Sequence, residues 1–345
     1  MAGLFSPIAI KGMALANRIA MAPMASELAD ERGAVTREHI DHYVERAQAG
    51  VGLIIVEHSY VEPAGRWSAR QMGIWHDDLV PGLKSLAAAI QAAGARVALQ
   101  ITHAGGCADR AVTGCDPLAP SAVVHARGKE TPREMAAGDF DRVAAAFAAA
   151  ARRCREAGFD AVEVHGAHGY FLSQCLSPFT NRRGDEYGSR LEGRARFPLR
   201  VVAAVRRAVG DDYPVIYRLG AEDEDPGGLT LDEACQVARW LVAAGVDALD
   251  VSGGLGGSRA TVEEPGYFLR LAAPVKKAAN VPVINAGRLD DPRLADRAIR
   301  DDRIDIAAIG RALLEDARWA IAAAAALGAG TGGQGSQGGQ GSQAN

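Results

Sequence analysis

Residues 157–170 read AGFDAVEVHGAHGY, and this stretch decides the fold. Gly158 follows an Ala/Arg-rich run of helical period and suits a left-handed helix cap. The run Ala161–Val164, apolar but for Glu163, is short, as a strand buried on both faces would be. Polar and aromatic residues follow at once: His165, His168 and Tyr170. The unit is therefore helix, glycine, short strand, polar end.

The unit recurs along the chain. Strands are predicted at 18–22, 53–57, 96–101, 161–165, 215–219, 248–251, 283–285 and 306–309. Helices follow at about 36–48, 79–93, 139–157, 192–209, 231–244, 267–279, 292–300 and 311–327, with capping glycines at Gly50, Gly94, Gly158 and Gly245. Strands alternating with helices demand a parallel sheet under helical cover, and eight repeats imply closure into an α/β, (β/α)8 TIM barrel. An open doubly wound sheet would place a glycine-rich phosphate turn after its first strand, and no GxGxxG follows Ala22.

The expected organisation is one barrel domain over residues 1–327, with an extended loop after strand four (170–191) acting as a lid or subunit contact. The Gly/Gln/Ser-rich tail over 328–345 is too poor in apolar residues to repay ordering.

The chain has 345 residues, 48% apolar and 23% charged, with a formal net charge of -4 and no basic blocks, which argues against nucleic-acid binding. No stretch suits a signal peptide or a membrane span, so a cytoplasmic protein is expected. Five cysteines without a CxxC pair indicate neither a disulfide framework nor a metal knot.

In such a barrel the site forms at the carboxyl ends of the strands. The polar residues there are Ser26, His58, Gln100, His103, His165, His168, Tyr170, Arg218, Ser252, Arg288 and Arg311, with Gly253, Gly254, Gly287 and Gly310 among them. Two imidazoles can aim N–H groups at one substrate oxygen, and a phenol beside them can release a proton. The pairs Gly287-Arg288 and Gly310-Arg311 close strands seven and eight, where barrels commonly hold a phosphate. Gln100 suits an imide edge, and Arg218 suits a developing anion. Tyr267 and Phe268 open a helix on the same face and are candidates for touching substrate or lid. Two other readings remain open at this point. His165 and His168, with His103 and Glu163, could ligate a metal in a barrel hydrolase, or the barrel could be a ligand-binding scaffold whose histidines are structural.

The motifs NRIAMAPM (17–24), GLIIVE (52–57), ALQITHAGG (98–106), VEVHGAHGYFLSQCLSPFTNRRGDEYGSR (162–190) and IAAIGRALLEDARW (306–319), in this order, resemble the Old Yellow Enzyme family of flavin oxidoreductases. The resemblance covers about 4–326. It implies FMN as cofactor, NADPH or NADH as reductant and an activated alkene as substrate, with desaturation as the reverse reaction. It also implies a homo-oligomer, dimer or tetramer. Pro23, Met24 and Ala25 would contact the flavin through their backbone, with His58 beside them. Gln100 would bind the pyrimidine edge, and Arg218 would sit near N1 and O2. Gly253, Gly254, Gly287, Arg288, Gly310 and Arg311 would serve the phosphate end. His165 and His168 would bind the substrate carbonyl, Tyr170 would deliver the proton, and Glu27 and Trp67 would line the substrate mouth.

The chain departs from the family pattern in three places. Ala25 stands where relatives carry Thr or Cys, so the contact that tunes the flavin is missing unless Ser26 replaces it. Gly106 stands where the family has an arginine. Glu27 replaces an aromatic, which points to a polar or cationic ligand.

Overall fold

The computed structural model describes residues 2–223, 225–257 and 262–329. Eight parallel strands close into a barrel: β1 (Ile19–Met21), β2 (Leu53–Tyr60), β3 (Arg96–Thr102), β4 (Ala161–Gly166), β5 (Val215–Gly220), β6 (Ala248–Ser252), β7 (Val283–Asn285) and β8 (Ile306–Ile309). The ladder runs in chain order, and β8 pairs back onto β1. Around it lie α1 (Arg37–Gln48), α2 (Val80–Ala92), α3 (Ala137–Glu156), α4 (Leu191–Val209), α5 (Leu231–Ala243), α6 (Leu269–Ala279), α7 (Pro292–Arg300) and α8 (Trp319–Leu327). Gly50, Gly94, Gly158 and Gly245 all take positive φ just before a strand, as the cap reading requires.

Strand alternation divides the core in two. One set of side chains packs outward against the helices. The other fills the lumen, where Ala20, Ala98, Ala161 and Ala248 leave room for Leu53, Ile55, Ile216 and Ile284. The floor is sealed by a feature that sequence periodicity did not predict, a hairpin of Ile8–Ile10 and Met13–Leu15. Its Ile10, Met13 and Leu15 join the lumen cluster.

A repeated aspartate fixes the register at that floor. Asp160, Asp247 and Asp305 each precede a strand, and each carboxylate accepts the N–H of Val97, Val215 or Val283 at 2.9 Å, on the strand before.

Two expectations need correction. The last predicted helix is two pieces, Arg311–Glu315 and α8, because the extended Asp316 turns its carboxylate to the N–H of Arg318 at 2.8 Å and ends the first. Helix α6 starts at Leu269, so Tyr267 and Phe268 precede it. The 170–191 segment, expected as a lid or a subunit contact, carries structure of its own. It contains the buried helix Phe171–Leu176, and Asn181 donates to the carbonyls of Cys175 and Tyr187 at 2.8 Å. Gly328 caps α8 in the left-handed region, and residues 330–345 of the predicted tail lie outside the described residues.

Candidate active site

At the carboxyl rim, β4 runs out into the hexad His165–Tyr170. His165 is buried, and its Nδ1 accepts the N–H of Ala167 at 3.2 Å, so in the neutral ring the proton sits on Nε2. His168 has φ 59°, a left-handed conformation rare for a side chain with Cβ. That turn sets its ring perpendicular to His165, with centroids 5.1 Å apart, and places Nε2 2.7 Å from Ser252 Oγ on β6. Gly253 supports the same turn by accepting the N–H of His168 through its carbonyl. Tyr170 lies 5.0 Å from His165, ring to ring.

His58 joins this group through a backbone irregularity. The β2–β3 ladder slips between Val56 and Ser59, and the bulge presents His58 to the site and Glu57 to the opposite side. Gln71, fixed by accepting the N–H of Trp67 at 2.7 Å, donates its amide to His58 Nδ1 at 2.7 Å. The His58 ring lies 5.4 Å from Tyr170, 6.4 Å from His165 and 6.0 Å from Trp67.

Burial sets the charge state of the group. It holds His165 and His168 well below 6.5, with the neighbouring cations Arg218 and Arg127 adding to the effect, and it lowers His58 to about 4. Tyr170 is pushed up to about 12 by burial. At neutral pH the site therefore offers neutral N–H donors and an intact phenol.

Beside them, a cleft runs across the rim past Met24, Arg218, Phe268, Gly287, Arg288, Gly310 and Arg311. The N–H groups of Gly287 and Gly310 bond to nothing among the described residues. A Cβ on Gly310 would press to 3.1 Å from Met24 Sδ, and one on Gly287 to 3.2 Å from Phe268 N, so both glycines line a close approach. Tyr267 and Phe268 face this cleft. Gly254 differs, because its N–H is taken by the carbonyl of Glu222.

Below the cleft, Gln100 Nε2 donates to Glu163 Oε1 at 2.6 Å, and Arg218 Nε stands 3.1 Å from Asp250 Oδ2 without hydrogen-bond alignment. Glu163 Oε2 and both Asp250 oxygens are buried without hydrogen bonds. Burial raises both acids above the usual carboxylate range. The orphaned polar atoms, the open glycine cradle and the free acceptor of Gln100 together fit a phosphorylated polar heterocycle such as FMN.

Several sequence-stated candidates sit elsewhere. His103 turns away from the rim to pair with Glu62 at 2.9 Å and stack on Phe171 at 4.7 Å. Ser26 cannot stand in for Ala25, since its hydroxyl and N–H both bond to Glu57, which His39 holds from the far side at 3.0 Å. Arg218 pairs with Asp250 and with none of the acids at 222–225 described. The Glu27 carboxylate bonds to Ser68 at 2.7 and 2.8 Å, while Trp67 packs against the cluster of Ala104, Cys107, Ala108 and Tyr170. Among the described residues no three His, Cys, Asp or Glu side chains converge to hold a metal ion. Residues the sequence reading missed are Gln71 and Arg127, on loops where no periodicity marks a facing direction, and Cys107, on a short 3-10 turn, whose thiol lies 3.1 Å from His125 Nδ1 and 3.3 Å from the carbonyl of Gly169.

Fold and rim together define a barrel oxidoreductase with a cradle for a phosphorylated cofactor and a polar pocket above it. The model of the NADH:flavin oxidoreductase / NADH oxidase family matches residues 3–328. The chain is 42% identical over 323 residues to an NADH oxidase of Thermoanaerobacter brockii, covering 92% of this chain but only 50% of that protein. It is 40% identical to an NADPH dehydrogenase of Geobacillus sp. (strain WCH70), covering 94% of each. Morphinone reductase superposes with a TM-score of 0.82 at 30% identity, over 95% of this chain and 90% of that one. The chain belongs to the NADH:flavin oxidoreductase / NADH oxidase family, that of Old Yellow Enzyme. It is an NAD(P)H-dependent flavin oxidoreductase whose cofactor is FMN.

Proposed function

We propose that the chain reduces the carbon–carbon double bond of α,β-unsaturated carbonyl compounds. FMN, when bound, supplies the two-electron relay from the reduced nicotinamide to the β-carbon of the alkene. Pro23, Met24 and Ala25 would meet its ring through their backbone, Gln100 its imide edge and Arg218 its N1 side. Gly287, Gly310 and Arg311 would hold its phosphate, with Arg288 and Gly253 flanking.

The observation that carries the reading is the perpendicular pair of buried imidazoles. As the β-carbon gains electrons, negative charge builds on the carbonyl oxygen. His165 Nε2–H is preset by Ala167, and His168 Nδ1–H is preset when Ser252 donates to Nε2. Neutral N–H donors stabilise that charge without losing their protons. Tyr170 then protonates the α-carbon, and solvent restores the phenol. A phenol with a pKa near 12 suits this role, because the carbanionic carbon is far more basic. His58 and Trp67 form the wall beside Tyr170.

The test is anaerobic turnover of an enone panel with NADH and NADPH. One saturated ketone formed per nicotinamide oxidised is the expected result. Nicotinamide oxidation only in the presence of oxygen would overturn the reading.

A further inference from the structure

Arg127 stands on the face of the proposed proton donor. Its guanidinium carbon lies 4.9 Å from the centroid of the Tyr170 ring, and it donates to the main-chain carbonyl of His168. It thereby ties the Tyr170 ring to the turn at His168 while remaining exposed.

The surrounding cations are matched by acids. Arg110 pairs with Asp116 and Glu130, Lys129 with Asp109, and Arg133 with Asp139. Arg127 has no carboxylate within 4 Å among the described residues. Glu27, the acid near the same phenol, is turned to the Ser68 hydroxyl. The Arg127 charge reaches the whole pocket. After burial it is one of the influences holding His58, His165 and His168 down, and it eases the Tyr170 phenol downward against the rise that burial causes. An unmatched guanidinium offers a planar fork suited to carboxylate or phosphate.

We propose that Arg127 determines substrate specificity by binding an anionic group, a carboxylate or phosphate, carried on the activated alkene. This replaces the cationic preference that Glu27 suggests from sequence, and it rests on the ene-reductase reading above.

The test compares holoenzyme kcat/KM for 2-cyclohexen-1-one with that for the same ring bearing a carboxylate, a phosphonate or an aminomethyl group, in wild type, Arg127→Met and Arg127→Lys. The wild type should favour an anionic probe over the neutral ring by at least about tenfold. Arg127→Met should erase that ratio through KM, and Arg127→Lys should keep part of it. Preference between carboxylate and phosphonate identifies which anion the fork takes. A ratio near one in wild type, a ratio unchanged by Arg127→Met, or a preference for the aminomethyl ring would each overturn the proposal.

Binding is read separately by titrating oxidised holoenzyme with 4-hydroxybenzoate and 4-hydroxybenzaldehyde and following the flavin absorbance. Arg127→Met should weaken the acid alone, by about tenfold, and equal weakening of both would overturn the proposal. If wild type reduces no ring at all, the ene-reductase reading fails while this titration still decides the role of Arg127.

Discussion

Replacing His165 and His168 with alanine, singly and together, should slow the passage of electrons to an enone while leaving FMN in place. The size of the effect follows from geometry. Each ring carries one buried N–H whose position is set by a partner, Ala167 at 3.2 Å for His165 and Ser252 at 2.7 Å for His168. A preset donor to a developing oxyanion contributes about 3 kcal/mol, so either single variant should lose roughly 10²-fold. Both donors serve one oxygen, so the double variant should lose about 10³-fold rather than the product of the two. Ser252→Ala removes only the hydroxyl that orients His168, which at about 1 kcal/mol gives roughly fivefold.

The assay is stopped-flow mixing of dithionite-reduced protein with 2-cyclohexen-1-one under anaerobic conditions. It bypasses nicotinamide binding and reads flavin reoxidation directly. Flavin absorbance before mixing confirms that FMN is retained, as expected when the Gly287 and Gly310 cradle is untouched. Reoxidation of the double variant within about threefold of wild type would refute the oxyanion role, since an N–H donor of this kind is worth far more than that.

Three further outcomes are expected. Tyr170→Phe should bind the enone but lose about 10²-fold in turnover, together with the solvent isotope effect on the step, and an unchanged isotope effect would exclude the phenol as proton donor. His58 has a folded pKa of about 4 against 6.5 when unfolded, so its contribution to stability is complete above pH 6.5 and lost as pH falls toward 4. That gap corresponds to about 3 kcal/mol, so urea midpoints should drop steadily over this window and drop less in His58→Asn, whereas parallel profiles would contradict the burial argument. Gly287→Val forces a branched side chain into φ 113° with its Cβ 3.2 Å from Phe268 N, so FMN should bind at least about tenfold more weakly by fluorescence titration, and unaltered affinity would place the cofactor elsewhere.

The barrel was legible because burial on both faces leaves strands that cannot be mistaken for loops, as in the Ala161–Val164 run, and because glycines such as Gly158 mark four of the helix ends. The hexad was legible because its residues are contiguous. The floor hairpin was not, since three-residue strands such as Ile8–Ile10 carry too few positions for a period to show. The orientation of His103 was equally hidden. It leaves β3 one residue beyond the strand end, and only the distant Glu62 decides which way its ring turns. His58 was placed at a strand end, whereas it lies inside β2, and a bulge that composition does not announce gives it its inward aim. Arg127 and Gln71 reach the pocket from loops, where facing is set by tertiary contacts alone.

Following isotope from donor to product decides whether this rim delivers electrons to carbon. With nicotinamide deuterated at the transferable position, in ordinary water and without oxygen, the saturated ketone should carry deuterium at its β-carbon. In the converse experiment, in deuterium oxide, it should carry deuterium at its α-carbon. A ketone unlabelled at the β-carbon, or nicotinamide oxidation with the enone recovered intact, would mean that hydride does not pass from this rim to the alkene.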